Sequence, residues 1–86
     1  MEIRYSKTAV KFINSLDKNN KQRIKTGIEK LTHTPPEGDI KQMQGYFDNR
    51  YRLRIGKYRV IYKYTEENNL VILNILDIGS RGDIYK

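Results

Sequence analysis

Between Arg50 and Tyr62 the chain alternates arginine with apolar and aromatic residues on both sides of one glycine: Arg50-Tyr51-Arg52-Leu53-Arg54-Ile55-Gly56-Lys57-Tyr58-Arg59-Val60-Ile61-Tyr62. A guanidinium is a planar fork that bonds two phosphate oxygens at once and remains cationic at any physiological pH. Several on one surface could grip a phosphodiester and stabilise negative charge that develops on it. Proton transfer suits arginine poorly. Its pKa lies above about 12, far from the pH at which a general acid or base is most effective. The pattern therefore offers anion binding and charge stabilisation, with slow proton transfer.

Strict alternation is the signature of a half-buried strand, so Tyr51, Leu53 and Ile55 are expected to face a core while Arg50, Arg52 and Arg54 face out. If Gly56-Lys57 is a two-residue turn with glycine first, Ile55 sits opposite Tyr58 and Arg54 opposite Arg59. Like charges placed directly opposite destabilise a sheet by roughly 0.2–1 kcal/mol. Folding alone gives no reason to put the two arginines there; a polyanion would supply one.

The rest of the composition narrows the partners. Net charge is +7, from 17 Lys and Arg against 10 Asp and Glu, with a pI near 9.7. That balance favours nucleic acid or another acidic partner over a neutral metabolite. Arg50, Arg52, Arg54, Lys57, Arg59 and Lys63 all fall between Asn49 and Thr65, a stretch with no acidic residue. Cysteine is absent and His33 is the sole histidine, which removes disulfides, thiolate metal sites and histidine clusters. No apolar run reaches signal-peptide length or the roughly 18 residues of a membrane span. The expectation is a cytoplasmic protein with no cofactor, no metal and no membrane partner, and with residues 1–86 forming one domain.

The positioning elements follow from periodicity. Glu2 to Tyr5 reads as a short strand, and Ser6 as the N-cap of a helix carrying Ala9, Phe12, Ile13 and Leu16 at helical spacing. Asp17 to Asn20 is expected to break it. A second helix is expected from about Lys21 to Thr32, with Ile24, Ile28 and Leu31 inward. Thr34-Pro35-Pro36-Glu37-Gly38-Asp39 cannot continue a helix. Strands are expected at Ile40 to Gln44, Asn49 to Ile55, Tyr58 to Tyr64 and, after a turn at Glu66 to Asn69, Leu70 to Ile78. The last alternates poorly, as a central strand covered on both faces does. A tail from Ser80 to Lys86 leaves its end. The predicted fold is α+β: a short N-terminal strand and a helical hairpin packed on a small, twisted, largely antiparallel sheet.

In this order of elements, the arginine hairpin together with Ile78-Gly79-Ser80-Arg81 and Tyr85 resembles the RelE/ParE superfamily of toxins from toxin–antitoxin pairs, over essentially the whole chain. The RelE branch comprises metal-independent endoribonucleases that enter the ribosomal A site and cut messenger RNA, leaving a 2′,3′-cyclic phosphate and a 5′-hydroxyl. The ParE branch instead poisons DNA gyrase. The resemblance implies catalytic roles for five residues. Arg52 and Arg54 match two basic residues on the strand before the turn, one of them the proposed general base, and Arg59 matches the arginine that holds the scissile phosphate. Arg81 matches the arginine assigned to charge stabilisation and leaving-group protonation, and Tyr85 a tyrosine that stacks on a base and orients the 2′-hydroxyl. Arg50, Lys57 and Lys63 would bind RNA backbone. Implied partners are a cognate antitoxin, messenger and ribosomal RNA, and operator DNA only through the antitoxin complex.

Two positions depart from that pattern. Some relatives use lysine where this chain has Arg52 and Arg54, and many carry histidine where it has Ser80. Acid catalysis would then rest on Arg81, a ribosomal group or water. The alternatives to the ribosome-dependent nuclease are a gyrase-inhibiting toxin and a non-catalytic RNA-binding member of the same fold. More local readings stand beside the functional ones: a solvated strand face for Arg50, Arg52, Arg54 and Lys63, a pairing of Arg81 with Asp77 or Asp83, and a hydrophobic plug for Tyr85. Tyr51, Tyr58, Tyr62 and Tyr64 are expected in packing, Ser6 as a cap, and His33 without a catalytic role.

Overall fold

The computed structural model describes residues 1–45 and 47–80. Strand β1 (Glu2–Tyr5) leads directly into helix α1 (Lys7–Asn14) through Ser6. Ser6 is the expected cap: its hydroxyl oxygen accepts from the Ala9 amide at 3.0 Å, satisfying a donor the helix start leaves free. The same hydroxyl donates to the Leu76 carbonyl at 2.8 Å, and the Ser6 amide donates to the Ile75 carbonyl at 2.9 Å. One serine therefore starts the helix and fastens it to a distant strand.

Helix α2 (Lys18–Glu29) begins three residues before the expected Lys21. Asp17, expected to break the first helix, is the N-cap of the second. Its carboxylate accepts from the Asn20 amide at 3.4 Å and from the Asn20 side chain at 2.7 Å. The last turn tightens into a 3₁₀ segment (Lys30–Thr32) that buries Leu31 completely. Gly27 lets α2 close on the sheet, since a Cβ there would lie 2.5 Å from Ile55 Cδ1.

Strands β2 (Asp39–Gln42), β3 (Tyr51–Ile55), β4 (Tyr58–Glu67) and β5 (Leu70–Ser80) complete one five-stranded sheet in the order β1-β5-β4-β3-β2. Only β1 and β5 run parallel; the other pairs are antiparallel. β5 is interior, as its poor alternation suggested. Ile55 pairs with Tyr58 and Arg54 with Arg59, around a turn in which Gly56 takes a φ of 58° that glycine adopts without steric cost. β4 runs past the expected Tyr64 to Glu67, because Asn68 and Asn69 both accept left-handed conformations (φ 49° and 66°) and close a two-residue turn.

One side of the sheet carries the core. Ala9, Ile13, Ile24, Ile28 and Leu31 of the helical layer pack against Leu53, Tyr58, Val60, Tyr62, Leu73, Ile75 and Ile78. Tyr62 stacks on Tyr51 at 5.6 Å between ring centroids and meets Tyr64 edge-on at 5.7 Å. Tyr64 keeps its hydroxyl satisfied by donating to the Leu31 carbonyl at 2.7 Å. Burial, with Tyr64 and Tyr51 nearby, pushes the Tyr62 hydroxyl far above its ordinary pKa. Ile61 and Ile72 are buried outside this cluster, on the opposite side by strand alternation. Among the described residues no helix is long and apolar enough to cross a membrane.

Candidate nucleic-acid interface

The pleat sends alternate residues of β3 and β4 to the side away from the helices. Register then aligns them in rows across four strands. One row runs Asp39, Arg54, Arg59, Gly79, and the next runs Lys41, Arg52, Ile61, Asp77. Arg52, Arg54 and Arg59 thus share one surface, as the alternation predicted. Lys63, paired with Asn74, lies further along the same side.

These cations do not stand bare. Asp39 bridges two of them, its Oδ1 accepting from Arg52 Nη2 at 3.2 Å and its Oδ2 from Arg54 Nε at 2.5 Å. Asp48 bridges two more, accepting from Arg50 Nε at 2.9 Å and from Lys63 Nζ at 3.1 Å. The Lys63 hydrogen bond, assisted by Arg50, holds the Asp48 carboxyl below the usual carboxylate range. The cross-strand repulsion implied by Arg54 facing Arg59 is offset from the other flank, because Asp39 is the β2 residue opposite Arg54.

Arg59 sits differently. It is only 6% exposed, and its Nη1 donates to the carbonyls of Gly56 at 3.0 Å and Tyr58 at 3.1 Å. No carboxylate pairs with it among the described residues, so its charge is not neutralised by an ion pair there. Arg52 is mostly covered, with a buried Nε that has no hydrogen-bond partner among the described residues. Arg54 is half exposed, and only its Nε is engaged among the described residues. Its two terminal nitrogens are therefore available to an incoming anion. Lys57 lies at the hairpin turn with its ammonium 5.4 Å from the Tyr58 ring centroid. Arg81 and Tyr85 lie outside the described residues.

Three contributors were not singled out from the sequence. Asp39 and Asp48 flank the acid-free stretch and reach it only through β2 pairing and the turn before β3. The available signal was the Asp39/Lys41 alternation around Ile40, which marks a strand but not its partner. Arg23 of α2 packs its guanidinium over Gly56, with Nη2 2.8 Å from where a Cβ would sit. It adds a cation to a groove that Arg54 and Lys30 also line. Among the described residues no group of three or more His, Cys, Asp or Glu is placed to hold a metal ion.

Comparison with known proteins gives a consistent result. Residues 3–85 match the family described as ParE toxin of type II toxin–antitoxin system, parDE. The chain is 34% identical over 83 residues to a protein that carries the name RelE1 from Methanocaldococcus jannaschii, covering 93% of this chain and 89% of that one. Among solved structures, the archaeal RelE–RelB complex from Pyrococcus horikoshii OT3 superposes with a TM-score of 0.74 at 30% identity, over 95% of this chain and 96% of that one. The isolated E. coli RelE toxin shares the fold, with a TM-score of 0.73 at 17% identity over 98% and 89% of the two chains.

Proposed function

The chain belongs to the RelE/ParE superfamily of type II toxin–antitoxin toxins, and on that premise we propose that it is a RelE-type endoribonuclease acting on messenger RNA in the ribosomal A site. The observation that carries this reading is the arginine face. Arg52, Arg54 and Arg59 occupy adjacent rows of one sheet surface, and Arg54 presents unengaged terminal nitrogens. In the proposed reaction Arg54 and the charge of Arg59 grip the scissile phosphate and stabilise the phosphorane. Arg52 holds the adjoining backbone. From the tail, Arg81 neutralises the leaving group and Tyr85 stacks on a base. Arg50, Lys57 and Lys63 steer RNA through longer-range attraction. The reaction is an internal transesterification and needs no metal. The setting is the cytoplasm, with a cognate antitoxin that neutralises the toxin and links it to operator DNA.

A gyrase-directed role is the second reading, favoured by the ParE description of the matching family. Primer-extension mapping of messenger 5′ ends after brief induction separates the two. Codon-phased cuts that vanish in Arg81→Ala support the nuclease. Intact messages together with growth arrest and loss of supercoiling by purified gyrase support the second reading. Absence of any phenotype would leave a non-catalytic RNA binder.

A further inference from the structure

Resting on the nuclease reading, we propose that Asp39 is the general base that takes the proton from the ribose 2′-oxygen. The reaction needs such a group, and arginine supplies it badly. A guanidinium gives up its proton only far above neutral pH, so almost none is neutral at pH 7. A carboxylate is a weak base but is ionised throughout the neutral range, so it is always ready to accept.

Position makes Asp39 the candidate. It is the β2 residue directly opposite Arg54, in the row that continues to Arg59. Arg54 Nε is bonded directly to Asp39, so a phosphate on the terminal nitrogens of the same guanidinium brings its ribose beside that carboxylate. The hydrogen bonding also divides suitably. Arg54 holds Asp39 through Nε at 2.5 Å, leaving its terminal nitrogens for phosphate, while Arg52 anchors the second carboxylate oxygen through Nη2 at 3.2 Å. Base and anion can thus be bound by the same guanidinium at once. Each Asp39 oxygen keeps a second lone pair, and the side chain is 44% exposed.

The step balances without a co-reactant. Asp39 takes the 2′ proton, the 2′-oxygen forms a bond to phosphorus, and the bond from phosphorus to the 5′-oxygen breaks. The 5′-oxygen is protonated by solvent or by an acid of the tail, and the Asp39 carboxylic acid returns its proton to water.

The test is single-turnover cleavage of message-programmed ribosomes by the full chain and by Asp39→Asn, followed against pH across the neutral range, with RNA affinity measured alongside. Wild type is expected to give a nearly flat profile. Asp39→Asn should cut about 10²–10⁴-fold more slowly at pH 7, bind RNA at least as well, and acquire a tenfold rise per pH unit as hydroxide takes over the base's task. Equal or faster cutting by Asp39→Asn overturns the proposal and makes the carboxylate a competitor for the arginines. Slower cutting with an unchanged profile also overturns it, leaving only a positioning role. Should Asp39→Asn lose its fold, Asp39→Glu decides: a retained flat profile supports the base and a steepened one overturns it. If wild type itself cuts no message, the nuclease reading falls and this inference with it; failure confined to the variant comparison removes Asp39 alone.

Discussion

The two sides of the β3–β4 hairpin are built from alternate residues of the same strands, yet they are held by different forces. Toward the helices, Leu53, Val60 and Tyr62 are at most 2% exposed and locked by close packing. On the other side Arg52 and Arg54 share one aspartate, and Arg50 and Lys63 another. Packing is short-ranged and specifies one arrangement, so the helix side fixes register and shape. Ion pairs at a wet surface are worth little net stability and exchange partners readily. The first side makes the fold, and the second can take up phosphate on its free guanidinium nitrogens without unfolding.

That contrast is open to test. Leu53→Ala should cost about 2–5 kcal/mol, because it leaves a cavity under Gly38 and Gly27; chemical denaturation measures it. Arg54→Ala should slow cleavage about 10²–10³-fold, in the range for losing one preorganised charge-stabilising donor, while shifting the melting temperature little. A large loss of stability in Arg54→Ala would break the division between the two sides. Tyr64→Phe removes the bond to the Leu31 carbonyl and should cost about 0.5–1.5 kcal/mol with cleavage unchanged.

The smallest effect concerns Asp48. Its carboxyl lies below the ordinary range when folded, with the Lys63 hydrogen bond as the main cause, so the folded state holds fewer protons than the unfolded one in acid. The resulting stabilisation is present above the unfolded carboxyl's value, about pH 4, and is lost as pH falls through the folded value beneath it. Asp48→Asn should therefore flatten the acid limb of stability against pH. Asp17 and Glu37, also lowered by hydrogen bonds from Asn20 and His33, would retain part of the slope.

The helix side was the more legible in sequence, because its signals are local. Gly56 sets the turn, the turn sets the register, and the register aligns Ile55 with Tyr58. Ser6 announces its helix in the same way. Asp17 misled because aspartate both ends one element and caps the next, and only the Asn20 geometry distinguishes the two. The extension of β4 to Glu67 was hidden by two asparagines that suit either a loose loop or a tight turn. On the charged side, the grip of Asp39 on Arg52 and Arg54 spans 13 and 15 residues, and that of Asp48 on Lys63 spans 15. No local periodicity encodes contacts of that separation.

The parallel pairing of β1 with β5 has a kinetic consequence. Glu2 aligns with Ile72, and Ser6 reaches Leu76 across 70 positions of chain. The first strand has no partner, and Ser6 no hold on β5, until a loop of that length has closed, and closure entropy must be overcome before those contacts stabilise anything. β5 also stands between β1 and β4, so without it β1 is cut off from the other strands. Assembly should therefore proceed as one late, cooperative event, with the first residues of the chain waiting on its final strand.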